Sequence, residues 1–319
     1  MITVVCPLYN EEAYIKPLLD FYLSAAPAEK ELFLIDGGSK DKTVAIIKEY
    51  QQKDSSIHLI HNPDKYVPFA LNKAITASKG EPVIRLDAHT VYAPDYFTAV
   101  LEAFRKSGAD IVGGPMRAVG NSDFQKAVAI ATSTSFGVGD SGFHDESKEG
   151  FTESVYLGAW KRNVFEATGL FDTDMLRNQD DEFHYRARAN GMRIYLDPKI
   201  KSWYAPRSTM KTLWKQYYQY GLFKPLVLKK VSSGIRLRHL IPAGFVGYLL
   251  IAVLSFWFPV FLIPAFLYLL LDLFYSFRYG SSFAVSSKML LVYPMLHCSY
   301  GLGFIKGFLV ILTGKKPTI

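Results

Sequence analysis

Carboxylates all but vanish from the last third of this 319-residue chain: beyond Asp197 there is only Asp272. Basic residues continue over the same stretch, with Lys199, Lys201, Arg207, Lys211, Lys215, Lys224, Lys229, Lys230, Arg236 and Arg238 between those two acids. The net charge of +7 therefore hides a split between an acidic-to-neutral first part and a basic, apolar last part. Cysteine is scarce as well. Cys6 and Cys298 are the only two, which argues against a disulfide framework or a zinc site, and both read as small buried hydrophobes. There is no Walker lysine motif and no G-x-G-x-x-G, so P-loop and dinucleotide-binding folds are disfavoured. No signal-peptide pattern precedes the first β-like run, which predicts a cytoplasmic N-terminal domain.

A basic segment alone fits either nucleic acid or membrane. Here it runs directly into apolar sequence, which points to a lipid bilayer and away from nucleic acid, with the Lys and Arg on the cytoplasmic side. Residues 208–230 interleave Leu213, Trp214, Tyr217, Tyr218, Tyr220, Leu222 and Phe223 with Lys211, Lys215 and Lys224. That pattern predicts an amphipathic interfacial helix, without excluding one packed on the protein. From Leu240 to Phe277 the only ionisable residue is Asp272, and a span needs about 20 apolar residues. A transmembrane hairpin over about 240–277 is expected, turning at Pro259 and Pro264, between Arg236 and Arg238 at one end and Arg278 at the other. A third apolar segment, about 289–312, is interrupted by Pro294, His297, Gly301, Gly303 and Lys306, and its pattern leaves spanning, re-entry and lying flat all open. The expected division is thus 1–205, a basic segment over 206–238, and an anchor over 239–319.

The first part alternates strand and helix patterns. Strands are expected at 2–6, 31–36, 57–61 and 82–87, with helices at 11–25, 41–53 and 68–78, which predicts a parallel, doubly wound α/β sheet. Ligands of such sheets bind at the carboxyl ends of the strands, and Asp36 and Asp87 fall there. Residues 118–154, rich in Ser, Gly, Asp and Thr, exceed a simple connection and read as a functional or mobile loop with one short helix at 123–132. Regular patterning returns at 155–160, 161–168 and 180–190.

Four motifs carry chemistry. CPLYNEE at 6–12 bends the chain out of the sheet and opens a helix with acids near its positive end. DGGSKDKT at 36–43 puts an acceptor, Asp36, beside glycines that admit a ligand, with Ser39 or Asp41 placed to cap the next helix. RLDAH at 85–89 sets Asp87 and His89 two residues apart, either as a hydrogen-bonded loop pair or as ligands of a divalent cation that also holds a diphosphate. In RNQDDEFHYRAR at 177–188, Asp180, Asp181 and Glu182 open a helix, as caps or as the source of a general base.

Taken in order, CPLYNEE, DGGSKDKT, LDAH and QDDEFHYR resemble the family 2 inverting glycosyltransferases of the GT-A fold, over roughly residues 1–220. With the DAH triplet and the apolar tail, the likeness is greatest to membrane-anchored bacterial exopolysaccharide transferases of the succinoglycan type. The resemblance implies a Rossmann-like nucleotide-sugar-binding domain followed by C-terminal transmembrane helices. It implies that Pro7, Tyr9 and Glu11 line the nucleotide site and that Asp36, with Ser39 nearby, contacts the uracil or equivalent base. Asp87 stands for the first Asp of the family's D-x-D, and His89 for the second, as ligands of Mn²⁺ or Mg²⁺. Asp180 matches the catalytic base, with Gln179 where the family has Glu. Asp181, Glu182 and, through a loose match to a Q-x-x-R-W segment, Gln216 are implied at the acceptor or diphosphate. The implied partners are a nucleotide diphosphate sugar, UDP favoured, and a polyprenyl-linked or glycan acceptor, at the inner or plasma membrane with the catalytic domain cytoplasmic. A polyprenyl-phosphate glycosyltransferase is the nearest rival, although its anionic nucleophile needs no base. A non-catalytic nucleotide-sugar-binding membrane subunit is the rival from another class.

Overall fold

The structure is a computed structural model describing residues 1–139, 142–234, 236–252, 254 and 258–319. The chain divides into two compact units: Met1–Arg117 with Gly142–Tyr204, and Ala118–Ser141 with Ala205–Ile319. Residues 118–141, expected within the first domain, group instead with the C-terminal part.

In the first unit the strands are β1 (Ile2–Leu8), β2 (Lys30–Asp36), β3 (Ile57–His61), β4 (Val83–Arg85), β5 (Thr90–Tyr92), β6 (Ile111–Gly114), β7 (Arg117–Ala118), β8 (Gly150–Phe151), β9 (Tyr156–Trp160), β10 (Ile194–Leu196) and β11 (Ser202–Tyr204). Between them run α1 (Ile15–Ser24), α2 (Thr43–Gln51), α3 (Val67–Ala77), α4 (Tyr96–Ser107), α7 (Arg162–Thr168) and α8 (Gln179–Ala189). Eight strands form one sheet in the order β3-β2-β1-β4-β9-β6-β10-β8, and β5-β11-β7 form a small second sheet. The first four strands are parallel, as their alternation with helices predicts. The whole sheet is mixed rather than parallel, because β9 runs antiparallel between β4 and β6. The reason lies in the connection. β9 is reached through a long excursion rather than a helical crossover, and only a parallel return needs the crossover.

Two apolar layers cover the sheet. Val4, Cys6, Leu32 and Leu34 pack with Leu19, Tyr22, Phe97 and Val100 on one side. Val5, Phe33 and Ile35 pack with Leu71, Ile75, Trp160 and Phe183 on the other. Alternate β1 residues serve the two faces, the period-2 consequence of a pleated strand covered on both sides.

The second unit is helical: α5 (Asp123–Ala131), α6 (Ser135–Val138), α9 (Met210–Lys230), α10 (Leu237–Ile251), α11 (Ile263–Tyr279) and α12 (Phe283–Leu312). The stretch read from sequence as a functional or mobile loop contains α5, which Ser122 and Gln125 close with a capping box. The polar-rich segment holds a helix because Ala127, Val128 and Ala131 give it an apolar face that packs with Met289, Val292 and Tyr293.

Among the described residues, two helices are long and apolar enough to cross a membrane, Pro259–Tyr279 and Phe283–Leu312. The first has a mean hydropathy of 2.0 yet is only 11% buried, the reverse of a soluble core helix. In the first arm of the expected hairpin, α10 accounts for 15 residues, and residues 253 and 255–257 of that arm lie outside the described ones. Pro259 and Pro264, expected at a turn, fall at the starts of a 3₁₀ turn and of α11, where a missing N–H costs nothing. The segment left open at 289–312 belongs to a 30-residue helix. Its glycines do not break it. Gly303 lets α9 approach and Gly301 lets α10 approach, since a Cβ on Gly303 would lie 2.1 Å from the Tyr218 carbonyl and one on Gly301 2.3 Å from that of Pro242.

Candidate active site

Three strand exits, from β1, β2 and β4, are knitted by side chains of the motifs. Pro7 sits in β1 beyond Val5, the last residue paired to β4, so its missing N–H breaks no ladder bond there. Tyr9 follows, half exposed, and Asn10 takes a left-handed turn at φ 56, a conformation Asn tolerates. The turn is bolted to the β2 exit. Asn10 N–H donates to Ser39 Oγ at 2.8 Å, and Lys40 N–H returns to Asn10 Oδ1 at 2.8 Å. Ser39, read as one of two possible helix caps, serves this turn. Asp41 accepts from the N–H and hydroxyl of Thr43 at the start of α2.

Asp36 is buried at the end of β2, and its carboxylate accepts the N–H groups of Gly38 at 3.0 Å and Ser39 at 3.1 Å. Gly38 has φ +86, which L side chains rarely adopt, and a Cβ on Gly37 would lie 3.3 Å from the Lys65 carbonyl. The two glycines thus let the chain fold back over Asp36.

Glu11, implied at the nucleotide, reaches His89: Oε1 lies 3.1 Å from Nδ1. A carboxylate on one imidazole nitrogen fixes ring orientation and tautomer and leaves the other nitrogen as the basic one, the usual outer support of a metal-bound histidine. Asp87 lies two residues beyond the end of β4. Its N–H donates to Tyr92 Oη at 2.7 Å, and that hydroxyl donates to the Asp87 carbonyl at 3.1 Å. Burial pushes the Tyr92 and Tyr156 phenols well above their ordinary values, with Asp87 adding to both, so these rings stay neutral. Burial likewise raises the Cys6 thiol, reinforced by Asp87 and Glu11, which leaves it an inert core residue.

The residue that organises the site is Arg85, the first residue of RLDAH, to which the motif by itself assigns no role. Its side chain is 8% exposed. Nε donates to Asp87 Oδ1 at 3.0 Å, and Nη1 donates to both oxygens of Asp180 at 2.8 Å. Burial by itself would lower the pKa of this guanidinium. Asp180 and Asp87 more than offset that and hold it above the ordinary value. A charged residue closing the apolar strand Val83–Arg85 was the available signal, because a buried charge demands partners.

Asp180 is the second residue of α8 and 38% exposed. Asn178, at φ 58, turns the chain into that helix. The neighbouring carboxylates part company. Asp181 is half-buried. Glu182 points into the protein, 2% exposed, and Arg186 binds it with both arms at 2.6 and 2.9 Å. Arg186 also donates to the carbonyls of Thr168 and Leu170, so Glu182 and Arg186 tie α8 to the end of α7 and the segment after it. The structure therefore does not bring Glu182 to the carboxylates of Asp87 and Asp180. Gln216 lies in α9 of the second unit, between Arg207 and Tyr220.

Among the described residues no three His, Cys, Asp or Glu side chains form an all-protein metal cage. Asp87, 21% exposed, and His89, 38% exposed, offer one carboxylate and one imidazole. A cation held by such a donor set would draw its remaining ligands from a diphosphate and water.

The description "Glycosyl transferase family 2" matches residues 3–169. The succinoglycan biosynthesis protein ExoA of Rhizobium meliloti is 30% identical over 242 residues, 75% of this chain and 73% of that protein. A dolichyl N-acetyl-alpha-D-glucosaminyl phosphate 3-beta-D-2,3-diacetamido-2,3-dideoxy-beta-D-glucuronosyltransferase of Methanococcus voltae is 29% identical, covering 97% of each chain. Among solved structures, the mannosyltransferase PcManGT of Pyrobaculum calidifontis, in complex with GDP-Man and Mn²⁺, superposes with a TM-score of 0.62 at 17% identity over 96% of this chain and 86% of that one. S. aureus TarS 1–349 with UDP-GlcNAc gives 0.55 at 15% identity, over 98% and 92%. Both structural likenesses are of fold.

Proposed function

The chain belongs to glycosyl transferase family 2, and from that premise we propose that it moves a sugar, with inversion, from a nucleotide diphosphate sugar to a hydroxyl of a lipid-linked glycan at the cytoplasmic face of a membrane. The observation that carries the reading is the shared guanidinium of Arg85. It bonds both the carboxylate implied at the donor, Asp87, and the carboxylate implied as base, Asp180, which lies 95 residues from Arg85 in sequence.

In this reading Asp36 and the turn around Gly37 and Gly38 receive the nucleotide base, and the exposed ring of Tyr9 lies beside it. Asp87 and His89 would hold a divalent cation, Mn²⁺ or Mg²⁺, which would supply charge neutralisation for the departing diphosphate. Asp180 accepts the proton of the acceptor hydroxyl, a role worth about 10²–10⁴-fold in rate. The acceptor oxygen forms its bond to the anomeric carbon from the face opposite the diphosphate. The bond to the diphosphate oxygen breaks with its electron pair, and the configuration inverts. Water exclusion falls to the acceptor itself, since Asp180 is open to solvent on one side.

The names of two relatives support the acceptor class: one builds succinoglycan and one acts on a dolichyl-linked sugar phosphate. A UDP-sugar is favoured as donor, and the neighbour bound to UDP-GlcNAc supports a donor of that kind. The two apolar helices, with Arg278 and Lys288 flanking the connection between them, support an anchor in an inner or plasma membrane. A panel of UDP- and GDP-sugars with Mn²⁺ or Mg²⁺, read by product linkage and by the anomeric configuration formed, tests the proposal. Retention of configuration, or transfer to polyprenyl phosphate in preference to a hydroxyl, would overturn it.

A further inference from the structure

Arg85 occupies a place where packing alone would put an apolar residue. It closes a strand whose three residues are all buried, beside Val5 of β1. Burying a charge is costly, and a buried ion pair seldom repays that cost over a well-packed apolar substitute. Fold stability therefore gives no reason for it. Its side-chain hydrogen bonds go to Asp87 and Asp180. Nε and Nη2 face Asp87 at 3.0 and 3.4 Å, and Nη1 faces Asp180. One rigid planar fork thus fixes two carboxylates from distant parts of the chain relative to each other, which a flexible ammonium cannot do.

The same geometry has an electrostatic consequence. A divalent cation at Asp87 must approach a carboxylate already paired with a buried positive charge. In the free protein that repulsion opposes the cation. The negative charge of a bound diphosphate offsets it.

We propose that Arg85 is a positioning residue of the reaction, holding Asp87 and Asp180 in one frame and making cation binding at Asp87 conditional on the donor's diphosphate. The inference rests on the donor and base roles given above. It is tested on the full chain in detergent micelles with Arg85→Met and Arg85→Lys. Mn²⁺ binding is followed by electron paramagnetic resonance without and with UDP, alongside kcat and KM for the donor. In the wild type, UDP tightens Mn²⁺ binding by about tenfold or more, within the range usual for coupled sites. Arg85→Met binds Mn²⁺ about tenfold more tightly without UDP, loses most of the UDP dependence, and falls by roughly 10²-fold in kcat as the base loses its orientation. Arg85→Lys restores the UDP dependence, because the charge returns, but not kcat, because the fork does not.

Unchanged Mn²⁺ affinity in Arg85→Met without UDP overturns the proposal. So does a kcat within threefold of wild type in either variant. If Arg85→Met does not fold, Arg85→Lys decides by its kcat. Asp180→Asn run in parallel separates the two readings: full turnover there removes the base assignment, while the Mn²⁺ measurements on Arg85 still stand or fall alone.

Discussion

Asp180 and Glu182 are two residues apart on α8, and opposite consequences are expected from neutralising them. Asp180 is partly open to solvent and paired on one side with Arg85. Asp180→Asn keeps an acceptor oxygen for Nη1, so the stability cost is about 1 kcal/mol or less. Turnover should fall by about 10²–10⁴-fold, the contribution of a positioned base, with donor affinity little changed. Glu182 is enclosed, and both of its oxygens are used by Arg186. Breaking a buried pair costs about 3–5 kcal/mol when one charge is left behind. Arg186 is 23% exposed and Gln retains one acceptor, so about 2–3 kcal/mol is the better figure for Glu182→Gln. At roughly 2–4 °C per kcal/mol for a unit of this size, the melting temperature should drop by roughly 4–12 °C. Thermal unfolding of the detergent-solubilised chain, with turnover measured well below the transition, separates the two effects. A Glu182→Gln protein with wild-type melting and depressed turnover, or an Asp180→Asn protein with the reverse, would refute the assignment of roles.

Three further outcomes are expected. Burial holds the His184 imidazole below its ordinary value of 6.5, against the opposing pull of Asp180 and Asp181, and Ser154 Oγ lies 2.8 Å from its Nδ1. The folded state therefore binds fewer protons than the unfolded chain below pH 6.5, so the stability held above that pH is lost as pH falls from 6.5 toward the folded value. His184→Gln should flatten the melting-temperature profile below pH 6.5, and an unchanged slope counts against the buried neutral imidazole. Phe183 is fully buried, stacks on Phe171 at 4.3 Å and meets Trp160 edge-on. Phe183→Ala should cost about 3–5 kcal/mol, seen in melting of the full chain, and a loss below 1 kcal/mol would show that α8 is not held by this cluster. Gly303→Ala puts a Cβ against the Tyr218 carbonyl. It should destabilise the α9–α12 contact by about 1–3 kcal/mol, whereas Gly244→Ala, with nothing within 4 Å, should not.

The sequence by itself determined the parallel half of the sheet, because short apolar runs alternating with helical patterns admit few other arrangements. It also placed Asp36 and Asp87 at strand exits, because they end or follow buried runs where a carboxylate has no packing role. Local pattern could not place β9, whose direction depends on a long excursion rather than on its own residues. Nor could it part Asp180 from Glu182. Both are acids in a first helical turn, and only packing sends one to Arg85 and the other inward to Arg186. The membrane segments were legible as composition but not as elements. A proline reads as a turn whether it breaks a helix or begins one, and the glycines of α12 read as interruptions until α9 and α10 lie against them. Arg85 shows the same limit most plainly. Its charge at the end of an apolar strand was visible in one dimension, but the two carboxylates that give the charge its purpose meet only in three.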